Sequence, residues 1–315
     1  MTPFYTALAL TAFAANSILC RLALGGRTID AASFTTIRLV SGAAMLLAIT
    51  AMARRLRRPP SLPGPLPAAL DPLPLALDPL PAALDPLPLA RGPSPFAPGT
   101  TAAWRAPLAL VAYAIAFSFA YLNLTTGTGA LILFGAVQTT MIGHALASGE
   151  RPRALEWVGL ASALSGLVVL VLPGLSSPPL VASLVMAGAG LSWGFYSLWG
   201  FGAGDPLAAT TENFARSVPL ALAVSLLAVG GFHASAQGAL LAVSSGALAS
   251  GLGYVVWYAA LRGLSATRAA IVQSATPVFT AAGGVVFLSE QITIRLVAAA
   301  VLILGGIGLA VAGRR

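Results

Sequence analysis

The stretch LTTGTGALILFGAVQTTMIGHALASGERPRALEWVGLASALSGLVVL, residues 124–170, returns in altered form as LSATRAAIVQSATPVFTAAGGVVFLSEQITIRLVAAAVLILGGIGLAV, residues 264–311. Each copy is a small-residue turn, an apolar run, a Ser with a Glu one or two residues on, and a final apolar run. Glu150 and Glu290 set the register, an offset of 290 minus 150, or 140, which lays Leu124 on Leu264 and Ala130 on Ala270. The regions before these copies match more weakly, with Arg38 in SFTTIRLVSGA facing Arg216 in TENFARSVPLA.

The repeated runs belong to a chain that is apolar throughout. Its 315 residues are 57% hydrophobic and only 8% charged, with a mean hydropathy of +0.88, whereas a soluble domain carries about 25% charged residues. Runs of about 18 to 23 apolar residues recur, each long enough to cross a hydrocarbon core of roughly 30 Å. They predict an all-α polytopic membrane protein with ten spans, near residues 3–24, 31–53, 106–124, 128–147, 155–173, 180–200, 207–230, 238–260, 267–288 and 293–312. The first run follows no basic segment and precedes no small-residue cleavage site, so a retained span is expected rather than a signal peptide.

The offset divides the chain into residues 1–173 and 174–315, five spans each. Five is odd, so the two halves are expected to lie upside down relative to each other. Inverted repeats around a midplane cavity are a transporter signature, because one half can rock against the other and expose the site to each side in turn.

All 17 basic residues are Arg, and the formal charge of +8 reflects topology rather than a nucleic-acid partner. With the N-terminus cytoplasmic, the inside segments hold Arg54, Arg55, Arg57, Arg58, Arg91, Arg105, Arg151, Arg153, Arg262, Arg268, Arg314 and Arg315, and the outside loops only Arg27 and Arg295. Twelve against two places both termini in the cytoplasm by the positive-inside rule.

The longest connection, about residues 59–103, contains LPAALDPLPLALDPLPAALDPLPLARGP, residues 66–93, four heptads each beginning Leu-Pro. Two prolines per heptad break the helical ladder at about 3 kcal/mol apiece and rule out a span or a coiled coil. A disordered cytoplasmic linker of polyproline II character, kept wet by Asp71, Asp78 and Asp85, is expected.

Enzyme chemistry finds no foothold. There is no HExxH and no Walker loop, so transport must draw on a gradient or another subunit. FGAGDP, residues 201–206, resembles the GxGD string of intramembrane aspartyl proteases, but the nearest second carboxylate is Glu212 on the following helix. One cysteine, Cys20, excludes an intrachain disulfide and reads as a packing residue. No cofactor and no metal are expected.

Two segments resemble a known family. AANSILCRLALGGRTIDAASFTTIRLVSGA, residues 14–43, is similar to the opening pattern of the EamA-type members of the drug/metabolite transporter superfamily, with a basic residue closing span one and an Arg early in span two. YVVWYAALRGLSATRAAIVQSATPVFTAAGGVVFLSEQITIRLVAAAVLILGGIGL, residues 254–309, resembles the second-half signature more closely. The resemblance implies a ten-helix bundle around a central cavity that moves small metabolites, amino acids or toxic compounds, outward across a bacterial inner membrane. It also implies a helix-breaking Pro in spans four and nine; Pro277 is present, but Val137 stands at the matching place in span four.

Candidate site residues are polar or aromatic groups at depth. Asn16, Gln138 and Gln273 offer amides near mid-membrane, where such groups serve either a ligand or helix-to-helix hydrogen bonds. Three aromatic stripes at helical spacing, Tyr113 with Phe117 and Tyr121, Trp193 with Tyr196, and Tyr254 with Trp257 and Tyr258, read as packing, as an interfacial belt, or as the wall of a substrate cavity. The expected substrate-binding set is Asn16, Tyr113, Gln138, Trp193, Tyr196, Tyr254, Trp257 and Gln273.

The expected gating or coupling set is Glu212, Arg216, Arg38 and Pro277. Glu212 precedes Arg216 by four and stacks on the same helical face, as a coupling carboxylate or as a structural pair. Arg21 is placed to snorkel as an anchor or to meet a substrate carboxylate. Glu150 and Glu290 are placed to cap the helix that follows each of them, and His144 and His233 read as structural. The resulting expectation is a gradient-driven secondary transporter, monomer or homodimer, exporting a small metabolite by alternating access. An importer or facilitator is the nearest alternative, and a channel or receptor the next.

Overall fold

A computed structural model describes residues 2–56, 102–149, 153–172, 177–200, 205–261 and 272–313. The proline heptads, Glu150, Arg262, Arg268 and most of FGAGDP lie outside the described residues. Within them the chain is all helical: α1 (Thr2–Gly25), α2 (Ala31–Leu56), α3 (Ala102–Tyr121), α4 (Thr126–Ala147), α5 (Ala154–Val171), α6 (Leu180–Gly200), α7 (Pro206–Leu227), α8 (Ala236–Leu261), α9 (Thr276–Leu288) and α10 (Ile294–Gly313). Six of these, α1, α2, α3, α5, α6 and α8, are long and apolar enough by themselves to cross a bilayer. Large side chains such as Leu227, Ile294, Val181 and Phe287 stand exposed on the outside of the bundle, a surface that only lipid can cover without cost. The protein is a multi-pass membrane protein.

Small residues determine how closely these helices pack. A Cβ on Gly190 would lie 2.6 Å from the Leu133 carbonyl oxygen, and one on Gly194 would lie 2.7 Å from Thr140 Cβ, so α6 meets α4 backbone to backbone. That is the route to affinity between helices where lipid supplies no hydrophobic push. On the far side of the bundle, Ser162 donates to the Leu302 carbonyl at 2.9 Å, part of the extensive α5–α10 contact.

The main contacts follow a pattern. α3 packs on α6 and α8 on α1; α4 packs on α6 and α9 on α1; α2 packs on α8 and α7 on α3. Adding five to each helix number turns one member of each pair into the other. The three remaining large contacts, α2 with α7, α4 with α9 and α5 with α10, each map onto themselves.

Two helices depart from regular α geometry. In α8, residues Ser244–Leu252 form a π-helix, a widened turn that is rare and concentrates at functional sites. Gly246 inside it faces the Arg38 carbonyl and Ser41 Oγ of α2 so closely that a Cβ there would collide with both. Ahead of α9, residues 272–273 are helical and 274–275 turn, and α9 begins at Thr276 with Pro277 in its first turn. Proline has no N–H to continue a helix, and Val278 and Phe279 instead donate to the Ala275 carbonyl at 3.0 and 3.3 Å. In α4 the matching Val137 lets the helix run unbroken from Thr126 to Ala147.

One rim of the bundle, where α1, α3, α7 and α9 finish and α2, α4, α8 and α10 begin, is tied twice. Both Glu290 carboxylate oxygens accept from the Thr126 N–H, at 3.0 and 2.8 Å, so Glu290 caps α4 in the other half of the chain and not the following helix. The physical reason is the turn before it: Ser289 is left-handed at φ 54° and Glu290 N–H closes back on the Gly284 carbonyl at 3.1 Å, a helix-ending geometry that aims the carboxylate sideways. Arg21 lies 3.6 Å from Glu290 and donates to the Tyr121 and Leu122 carbonyls at 2.9 and 3.1 Å. It thereby places a cation at the C-terminus of α3, where the helix dipole favours one.

The second tie joins the α1–α2 loop to the α7–α8 loop. Ile29 and Ala234 form an antiparallel bridge, Asp30 N–H donates to the His233 carbonyl at 2.9 Å, and Ser235 N–H to the Thr28 carbonyl at 2.8 Å. The Asp30 carboxylate accepts from Ser33 N–H at 2.8 Å and His233 N–H at 3.2 Å. Burial alone would push the Asp30 carboxyl up, but the hydrogen bonds from Ser33 and His233 outweigh it and hold it below the ordinary carboxylate range.

Candidate substrate cavity

The cavity lies where α1, α2, α3, α4, α6, α8 and the segment before α9 converge. It is a narrow, partly open cleft. Each contributing helix presents a short cluster: Phe13, Asn16 and Ser17 from α1, Arg38 from α2, Tyr113 and Phe117 from α3, Leu133 and Phe134 from α4, Trp193 from α6, Ala249, Ser250 and Tyr254 from α8, and Gln273. Spacings of three and four residues keep Phe13 with Asn16 and Ser17, Tyr113 with Phe117, and Ser250 with Tyr254 on one helical face each. In α8 the widened turn carries Ala249 and Ser250 to the wall.

Aromatic rings form a continuous chain around this space. Phe13 meets Tyr254 edge-on at 6.0 Å, Tyr254 meets Trp193 at 5.8 Å, Trp193 meets Tyr113 at 4.8 Å, and Tyr113 meets Phe117 at 5.3 Å. These separations are within the range in which ring pairs attract beyond simple burial. An apolar aromatic wall with a few fixed polar groups is the form a small-molecule site takes.

The polar groups are held in place. Asn16 is buried, and its Oδ1 accepts from Ser245 Oγ at 2.6 Å, which fixes the amide and ties α1 to the π segment. Arg38 is 4% exposed. Its Nη2 donates to Tyr113 OH at 3.1 Å, and its guanidinium lies 5.3 Å from the Tyr113 ring centroid and 4.9 Å from that of Phe117. Nε and Nη1 are buried without a hydrogen-bond partner among the described residues. A desolvated cation–π contact offsets about 2 kcal/mol, whereas the effective penalty for taking one ion out of water is several kcal/mol. The rings therefore compensate only part of the charge.

Of the residues expected from sequence, Asn16, Tyr113, Trp193, Tyr254, Gln273 and Arg38 come together on this wall. Tyr196 is buried behind Trp193 and stacked on it at 5.2 Å, and Trp257 packs edge-on against the back of Phe13 at 5.8 Å. Gln138 is half-buried on α4, one turn beyond Phe134, and is not part of the wall. Glu212 and Arg216 pair with each other on α7, with the Arg216 guanidinium 5.9 Å from the Trp104 ring, away from the cavity. Pro277 is buried at the start of α9. Sequence reasoning missed Phe13, Ser17, Leu133, Phe134, Ala249 and Ser250. The signal for the first two and the last was available: Phe13 and Ser17 flank Asn16 on one face, and Ser250 sits one turn before Tyr254.

His144 is exposed near the end of α4, and exposed His233 holds the rim loop through its backbone and, at 3.2 Å from Nε2, the Arg27 carbonyl. Cys20 is fully buried in the core.

Comparison with known proteins adds three findings. Residues 180–312 match the EamA-like transporter family. The uncharacterized protein PA1977 of Pseudomonas aeruginosa is 44% identical over 313 residues, 99% of this chain and 95% of that protein. A solved crystal structure covers 96% of this chain, and 95% of its own, at 18% identity and a TM-score of 0.58, a likeness of fold.

Proposed function

The chain belongs to the EamA-like transporter family, and on that premise we propose that it is a gradient-driven secondary transporter that exports a small metabolite across a bacterial inner membrane by alternating access. Ten transmembrane helices form two inverted five-helix repeats, residues 1–173 and 174–315, with both termini cytoplasmic. The observation that carries the reading is the placement of the cavity: helices of both halves build it, and their main contacts exchange when each helix is replaced by its counterpart five places on. A site on such a pseudo-two-fold axis can be uncovered from either side by rocking one half against the other.

Asn16, Tyr113, Trp193, Tyr254 and Gln273 form the substrate-contacting wall, with Tyr196 and Trp257 holding Trp193 and Phe13 from behind. The break before Pro277, absent from α4, makes the ninth span the more deformable of the two counterparts. Glu212 and Arg216 are the coupling candidates, and the π segment is the place where α8 can yield.

The test is sidedness together with flux. In a Cys20→Ser background, Ser148→Cys and Gln291→Cys are expected to react with an impermeant maleimide from opposite sides of the membrane; labelling from one side would end the inverted-repeat reading. In proteoliposomes, saturable counterflow identifies a carrier, and flux without saturation a channel. Trp193→Ala is expected to lower transport at least about tenfold, the loss of one aromatic anchor from a buried wall.

A further inference from the structure

Among the described residues Arg38 is a buried cation with no anion. Arg21 pairs with Glu290 and Arg216 with Glu212; among the described residues no carboxylate pairs with Arg38. It faces the cavity, Nε and Nη1 are unpartnered, and the groups around it are neutral rings, hydroxyls and amides. Buried charges are paired or coordinated in folded proteins, so this guanidinium is a standing demand for a negative group, and the cavity is where one can enter.

We infer that the cavity receives the carboxylate of an organic monoanion with an apolar or aromatic body, and that Arg38 supplies its counter-charge. The inference rests on the reading of this cavity as the substrate site. Three further observations support it. Asn16 lines the cavity with its carbonyl oxygen engaged by Ser245, which leaves its NH2 as the group it can offer, a donor, the polarity an anion needs. Among the described residues Arg38 is the one cation on the wall, so a single negative charge is neutralised, whereas a phosphate ester carrying about −1.5 to −2 at neutral pH would leave charge uncompensated in an apolar site. The chain of rings from Phe13 to Phe117 gives the rest of the molecule an apolar surface beside the charge. Arg38 is held for this by α8: the absence of a side chain at Gly246 lets the π segment press on the Arg38 carbonyl, and Tyr113 OH orients the guanidinium.

The experiment uses the full chain purified in detergent at low, fixed chloride, with 3-phenylpropionate, hexanoate and indole-3-acetate, each against its own amide and the corresponding amine. Thermal midpoint and tryptophan fluorescence are read together. Carboxylates are expected to raise the midpoint and change the fluorescence in a saturable way, and the amides and amines to do neither. Arg38→Met is expected to abolish the carboxylate response, a loss of about tenfold or more in apparent affinity, while its ligand-free midpoint stays level or rises because an unpaired buried charge is gone. Arg38→Lys is expected to retain part of the response.

The inference is overturned by any of four results: no response to the carboxylates, amides acting as well as the acids, chloride alone producing the whole effect, or an Arg38→Met protein that binds carboxylate normally. A lower ligand-free midpoint in Arg38→Met would likewise assign Arg38 a structural role instead. Counterflow with the same compounds separates this inference from the transport reading. Flux of amides or amines with no response to acids keeps the carrier and removes the anion site; carboxylate binding without flux of any compound removes the carrier and keeps the anion site.

Discussion

Glu290→Ala removes the cap of α4 from a residue 164 positions away in sequence, and its cost can be worked from the contacts. The Thr126 N–H loses its charged acceptor, worth about 1.5–3 kcal/mol. The carboxylate also leaves the positive end of α4, worth about 0.3–1 kcal/mol near a helix terminus. Arg21, whose side chain is 23% exposed against 13% for Glu290, loses an ion pair that is partly screened and contributes about 1 kcal/mol at most. The sum is about 3 kcal/mol for Glu290→Ala. Glu290→Gln keeps an acceptor for Thr126 and loses only the charge, so about 1–1.5 kcal/mol is expected. Reversible unfolding in mixed dodecyl sulfate micelles measures both, and the double-mutant cycle with Arg21→Ala is expected to return a coupling of about 1 kcal/mol. The reasoning fails if Glu290→Gln is as damaging as Glu290→Ala, or if Glu290→Ala costs less than about 0.5 kcal/mol, the range of an unremarkable surface change.

Other outcomes follow from the same contacts. Asp30 has a lowered folded-state pKa, so its contribution is fully present above the unfolded value of about 3.9 and is lost as pH falls through the folded one; amide exchange at Ser33 and His233 should accelerate in that acidic window, and Asp30→Asn should abolish the dependence. Gly246→Ala forces α8 away from the Arg38 carbonyl and is expected to cost about 1–3 kcal/mol in the same unfolding assay, whereas Gly188→Ala, with open space around it, should be silent. Deleting residues 62–98 should leave insertion and transport intact; normal insertion with lost flux would show that the proline heptads serve transport.

Much of the fold was legible because lipid imposes a simple rule on sequence. α6 begins and ends at residues 180 and 200 as the apolar run does, and the interruption before α9 follows from Pro277 alone. The start of α4 was not legible: TTGTG reads as a turn, yet Thr126–Gly129 is already helical, because the group that satisfies its first N–H comes from Glu290. The π segment was hidden for a related reason, since Ser244–Leu252 widens where α2 presses on Gly246, and a sequence does not state its neighbours. About half of the cavity wall was legible as polar and aromatic residues that lie too deep for the interface. Gln138, equally deep, lies off the wall, because depth fixes the level of a residue in the bilayer but not the direction it faces. Arg38 was visible as a charge at depth, while its lack of an anion among the described residues emerged only once α3, α6 and α8 were in place around it.

The antiparallel bridge between Ile29 and Ala234 has a mechanical consequence. It fastens the first half of the chain to the second at the rim where Arg21 also holds Glu290. The two fastenings act as a clasp on one face of the molecule, so any displacement of the halves there must first open backbone hydrogen bonds and an ion pair. A movement that leaves the clasp shut has its fulcrum at that rim and its greatest travel at the opposite one, where Trp104 and Arg216 touch across α3 and α7.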